Sequence, residues 1–152
     1  MSGKNELKSI AIEVNMLLSK YIDINDASLK FSWRKIIPLP FIFQPIIFSQ
    51  LCTSARQILS QLENCNQNIS NLPEGLTQEE ICFADFLSGY CVALIETVSL
   101  LAGILEQLRL KSEHSKGYSL AEHNKRFALY KEAVDRYMSM GDQLNELYQE
   151  IA

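Results

Sequence analysis

The stretch from Thr77 to Ser115 constrains the fold of this chain more than any other part of the sequence. It contains no proline, and its large apolar side chains fall at positions that cover every face of an α-helix. A helix that is apolar on all sides must be enclosed by other elements. The sequence therefore predicts one long central helix and requires neighbours that surround it. The apolar positions are Ile81, Phe83, Phe86, Leu87, Tyr90, Val92, Leu94, Ile95, Val98, Leu100, Leu101, Ile104, Leu105 and Leu108.

Three other long segments each carry one apolar stripe, with apolar residues three and four positions apart. That spacing places the apolar side chains on one face of a helix that packs against a core. Proline suits the first turn of a helix, so the second stripe predicts a helix that begins near Pro45. The stripes predict helices over about residues 4–24, 45–72 and 119–152.

Two capping boxes mark the starts of the last two helices. Thr77 and Glu80, like Ser119 and Glu122, have the spacing at which each side chain satisfies a free backbone N–H group. The sequence therefore predicts that helices begin at these two positions.

Together these signals predict an all-α fold. Asn25 and Asp26 can cap a separate short helix over residues 27–35, and short connections between the long helices favour antiparallel neighbours. We expect an antiparallel up-down bundle of about four long helices, with a short extra helix and a Pro-rich apolar crossover. The 152 residues are 47% hydrophobic and 21% charged, which fits a single domain over residues 1–152 and excludes a disordered chain.

The charge pattern gives no strong indication of a partner. The net charge is −4, and residues 109–136 carry only a modest excess of seven basic residues over four acidic ones. A nucleic acid partner is therefore not expected, and this basic region remains an alternative contact surface. The sequence begins without the basic and then apolar layout of a secretory signal, so a cytoplasmic protein is expected.

Sequence motifs for catalysis or metal binding are absent. The two histidines, His114 and His123, are not preceded by the glutamates that a carboxylate-bridged metal site in a helical bundle needs. The four cysteines form no C-x-x-C pair, so we expect reduced and mostly buried thiols. We therefore expect no cofactor, no metal and no catalytic residues, although an enzyme without a recognisable motif stays possible.

The Pro-rich segment (residues 36–48) is the most unusual part of the sequence. Nine of its thirteen residues are large and apolar and three are proline, which favours an extended backbone. Three interpretations remain open: a crossover that closes one end of the core, a docking surface for a partner or second subunit, and an interfacial membrane contact. Candidate contact residues in and beside it are Trp33, Phe41, Phe43 and Phe48.

Acidic residues interrupt the central apolar stretch. Asp85 and Glu96 are eleven residues apart, so they share one face that is either a solvated stripe or a buried site. A charge at Glu96 also argues against a membrane-spanning helix over residues 86–105. The string Asp85-Phe86-Leu87-Ser88-Gly89 with Glu96 resembles part of the translin-type nucleic-acid-binding helical proteins. The resemblance covers twelve of the 152 residues, and we assign no family from it.

Tyr130 and Tyr137 alternate with basic residues near the C-terminus, and such a pattern can stack unpaired bases. Both tyrosines lie on the apolar stripe, however, which favours a core position.

These observations favour a non-enzymatic interaction module that forms homo-oligomers or binds a protein partner. Its expected contact surface uses the central helix and the Pro-rich segment. The alternatives are a binder of a small apolar ligand or membrane surface, with its pocket beneath residues 36–48, and a nucleic-acid-associated factor that uses residues 109–136.

Overall fold

The described part of the chain forms a bundle of four long helices. The computed structural model describes residues 3–36, 45–114 and 117–152, with side chains described over 3–28, 48–111 and 117–152. Within these ranges there are no strands, so the predicted all-α bundle is confirmed. The helices are α1 (Gly3–Ile36), α2 (Pro45–Ser70), α3 (Gln78–His114) and α4 (Leu120–Ile151).

The first helix differs from the prediction. A break near Asn25 and a separate helix over residues 27–35 were expected, whereas α1 continues without interruption to Ile36. Two polar side chains in this part of α1 make other hydrogen bonds instead of capping a new helix. The Ser28 hydroxyl donates to the Ile24 carbonyl at 2.6 Å, and the Asn25 side chain accepts a hydrogen bond from Tyr130 of α4.

The starts of the last two helices follow the predicted capping boxes. The Glu80 amide donates to Thr77 Oγ1 at 3.2 Å, and the Thr77 amide donates to Glu80 Oε2 at 3.1 Å. At α4, the Glu122 amide donates to the Ser119 hydroxyl at 3.1 Å. Gly75 lies between α2 and α3 with φ at +98°, a conformation that glycine adopts without steric cost.

Helix α3 is the central element, because it packs against each of the other three helices. Its enclosure is incomplete. Val92 is 55% exposed and Ile81 is 40% exposed on its outer face, beside the solvent-exposed Asp85 and Glu96.

The bundle is also open on a second side. Among the described residues, no α-carbon of α1 comes within 8 Å of an α-carbon of α4. Neighbouring helices in a closed bundle have axes about 8–10 Å apart, which brings α-carbons closer than this. The first and last helices therefore lie apart on α3 and leave a gap between them.

Candidate functional site

The divergence of α1 and α4 creates an apolar groove of about 420 Å³, which we call the α1–α4 groove. Its floor is α3, and its two walls are the first half of α1 and the second half of α4. The lining residues are Ala11, Ile12, Val14, Asn15, Met16 and Leu18 of α1, Phe83, Leu87 and Tyr90 of α3, and Gly141, Leu144, Asn145 and Tyr148 of α4.

Small residues on the two walls keep the groove open. Gly141 of α4 has no side chain, and a Cβ atom built there meets no described heavy atom within 4 Å. Ala11 contributes only a methyl group on the α1 side. The floor is well packed, since Phe83 is 1% exposed and its ring centroid lies 5.6 Å from that of Tyr148. The groove is therefore a gap between ordered walls over a packed floor.

The lining of the groove carries no charged side chain among the described residues. Its polar groups are the amides of Asn15 and Asn145, which are solvent-exposed on opposite walls, and tyrosine hydroxyls. Ile12 and Met16 extend the apolar surface outward, because they are 56% and 55% exposed. This arrangement favours an uncharged, apolar binding partner.

A cluster of tyrosines joins α1 to α4 beyond one end of the groove. The Tyr130 hydroxyl donates to Asn25 Oδ1 at 2.5 Å and is hydrogen-bonded to the Tyr21 hydroxyl. Because the single Tyr130 proton is used on Asn25, Tyr21 must be the donor to Tyr130. The Tyr137 ring makes an edge contact with the Tyr21 ring, with the two centroids 5.9 Å apart. These directed bonds hold the two diverging helices together.

Burial keeps these tyrosines neutral. It raises the pKa of Tyr90 to about 12, and it raises the pKa of Tyr21, Tyr130 and Tyr137 above the ordinary value of 10. Neutral hydroxyls near the groove can orient a ligand through hydrogen bonds, and they are poor proton acceptors at neutral pH.

The buried cysteines are unreactive for a related reason. Burial raises the pKa of Cys52 and of Cys65 to about 11 and that of Cys91 to about 12. The thiolate is the nucleophilic form, so these three thiols are poor nucleophiles near neutral pH. Cys82 is an exception to the expected burial, because it lies exposed at the surface of α3.

Three of the residues predicted to contact a partner belong to the core. Phe48 is 1% exposed, Tyr130 is 3% exposed and Tyr137 is 7% exposed. Phe48 therefore anchors the start of α2 within the bundle. The interpretation of the two tyrosines as core residues is supported, and neither presents a face on which a base can stack.

The remaining predicted contact residues are Glu96, Trp33, Phe41 and Phe43, and of these the structure describes the side chain of Glu96 alone. Glu96 is exposed and its carboxylate lies 2.6 Å from Arg136, so with the exposed Asp85 it forms the solvated stripe rather than a buried site. The side chain of Trp33, and Phe41 and Phe43 altogether, lie outside the described residues.

Most groove residues were missed by sequence reasoning. Ile12 and Met16 are apolar, four residues apart and off the main stripe of α1, which is the signal that could have identified them. Gly141 has no side chain and therefore gives no signal of this kind. Its role depends on the distance to α1, which the sequence does not encode locally.

Neither a metal centre nor a membrane assignment follows from the described residues. No three His, Cys, Asp or Glu side chains within the described ranges are grouped so that they could hold a metal ion. Residues 78–111 of α3 are long and apolar enough to cross a membrane by length and composition alone. The same helix forms the centre of the bundle, where a core helix of that composition is also expected.

Comparison with protein-family models, with curated proteins and with solved structures finds no match to this chain. The twelve-residue similarity to translin-type proteins is accordingly not accompanied by a family match.

Proposed function

We propose that this chain is a non-enzymatic helical interaction module that self-associates through the α1–α4 groove. The observation that carries the proposal is an uncharged apolar groove whose floor is the central helix α3 and whose α1 edge is exposed. Burial of apolar surface would supply the binding free energy.

The exposed edge is large enough to matter energetically. Ile12 and Met16 each leave more than half of their surface in water. Full burial of such a side chain contributes about 1.5–3 kcal/mol, so completing the burial of the two contributes about 2–3 kcal/mol. That is a useful share of the 8 kcal/mol that corresponds to a dissociation constant of about 1 μM.

Two other functions have less support. A small apolar ligand remains the second candidate, because about 420 Å³ is within the range of 300–1,000 Å³ typical of ligand sites. The groove is lined by α1, α3 and α4, whereas most of residues 36–48, beneath which a pocket was expected, lie outside the described residues. Nucleic acid binding has the least support, because Arg109 is paired with Glu106 and Arg136 is paired with Glu96.

Two variants with matched exposure test the proposal. Met16 and Val92 are each 55% exposed, but Met16 lines the groove and Val92 lies on the outer face of α3. We expect the wild-type protein to self-associate in sedimentation equilibrium, Met16→Lys to shift it toward the 17.3 kDa monomer, and Val92→Lys to have little effect. A wild-type monomer at several hundred micromolar, or equal effects of the two substitutions, would contradict the proposal.

A further inference from the structure

We propose that the groove of one copy binds the phenyl rings of Phe41 and Phe43 from the Pro-rich segment of a second copy. This inference rests on the proposed function and names the occupant of the groove. It is carried by three properties of the chain, namely the charge and volume of the groove, the sequence of the segment and the distance between the two.

The segment matches the groove in charge. Residues 36–48 contain no charged side chain, and neither does the lining of the groove. Exposed charged side chains lie elsewhere on α1 and α4, as at Lys20, Asp142 and Glu146. The uncharged segment can therefore bind in the groove without removing water from an ionised group.

The volume of the groove suits two aromatic rings. A cavity of about 150 Å³ holds one benzene molecule, so about 420 Å³ has room for two rings and the adjoining chain. Phe41 and Phe43 are two residues apart between Pro40 and Pro45. A β-extended backbone places side chains two apart on the same side, so both rings can enter the groove together.

The segment of the same molecule cannot reach its own groove. Leu18, the last groove residue of α1, and Ile36 are eighteen positions apart, which is about 27 Å along the helix at 1.5 Å per residue. The connection from Ile36 to Pro45 extends to at most about 32 Å in total, and since both of its ends are fixed it reaches out and back by about 16 Å. Only another copy can place these rings in the groove.

Reciprocal insertion gives a closed assembly. Two bundles that lie side by side in opposite directions bring the segment of each copy level with the groove of the other. Such a two-fold dimer contains two identical contacts and leaves neither groove empty.

Complementation between two variants tests this arrangement. Gly141→Leu fills the groove, and the described structure has open space for the added side chain. Phe41→Ser with Phe43→Ser removes the rings and keeps the groove. We expect each variant alone to dimerise at least 30-fold more weakly than the wild type, which is typical when large anchoring side chains are removed. An equimolar mixture should recover association, because one intact segment then meets one intact groove.

Controls separate this inference from the proposed function. Gln143→Leu adds the same side chain to α4 at an exposed position outside the groove lining, and it should dimerise like the wild type. Circular dichroism checks that each variant is folded. If a ring variant is unfolded, a synthetic peptide of residues 36–48 with a solubilising lysine tail replaces it, and it should bind to the wild type and not to Gly141→Leu.

The contrary outcomes are distinct. If Gly141→Leu and Met16→Lys weaken association while the ring variant associates normally, the occupant is another part of the chain and only this inference fails. Failure of the mixture to recover association overturns it as well. A monomeric wild type, or a monomer that retains a small molecule in native mass spectrometry, overturns both the inference and the proposed function.

Discussion

Removal of the Tyr130 hydroxyl should destabilise the protein more than removal of any other single oxygen in the tyrosine cluster. This hydroxyl accepts a hydrogen bond from Tyr21 and donates one to Asn25, so both of its bonds join α4 to α1. The two helices have no close backbone approach among the described residues, which makes these bonds a principal link between them. The perturbation is Tyr130→Phe, which keeps the ring.

The magnitude follows from the burial of the partners. Each hydrogen bond contributes a net value of about 1 kcal/mol, and a buried donor left without an acceptor costs about 1–3 kcal/mol. Tyr21 is 2% exposed, so in Tyr130→Phe its hydroxyl must turn to the Tyr137 oxygen or stay unsatisfied. We expect a loss of about 2–3 kcal/mol in the free energy of unfolding. For a chain of this size that corresponds to about 4–12 °C in the melting temperature.

Urea unfolding followed by circular dichroism measures this loss, and Tyr148→Phe is the matched control. Tyr148 packs on Phe83, but its hydroxyl has no hydrogen-bond partner among the described residues. The control should change the unfolding free energy by less than about 0.5 kcal/mol, which is typical of a substitution that breaks no hydrogen bond. Equal effects of the two substitutions would show that the hydroxyl bonds do not hold α1 to α4.

Three further predictions concern the titratable groups. At pH 8 a soluble thiol reagent should modify one cysteine rapidly, because Cys82 is exposed and the other three thiols are buried, and rapid modification of all four would contradict the packing of α2 and α3. Since burial raises the pKa of Tyr90 to about 12 and that of Tyr21 further, the folded state keeps protons that the unfolded state releases above about pH 10. The stability from this burial is complete below pH 10 and should fall as the pH rises beyond it, so urea midpoints that stay constant from pH 9 to 11 would refute it. Glu96→Gln should change the unfolding free energy by less than about 1 kcal/mol, because Glu96 and Arg136 are about half exposed, and a larger loss would show that the pair is more than a surface contact.

The sequence by itself determined the helices of this protein and where most of them begin. The capping pair Thr77 and Glu80, the pair Ser119 and Glu122, and Pro45 are local signals, and the structure begins helices within a residue of each pattern. Apolar spacing likewise indicated that Tyr130 and Tyr137 face inward, because the period of a helix fixes which side chains share a face.

Only the tertiary structure decided the length of α1 and the position of the groove. Helix α1 passes through Asn25, whose side chain bonds to Tyr130, 105 residues away, instead of capping a new helix. The groove exists because α1 and α4 diverge, so that Gly141 faces open space instead of a neighbouring helix. Periodicity records which face of each helix is buried, but it carries no information about the distance between two helices. That distance is set by side chains that meet only after the chain has folded, and Tyr21, Tyr130 and Tyr137 meet in this way.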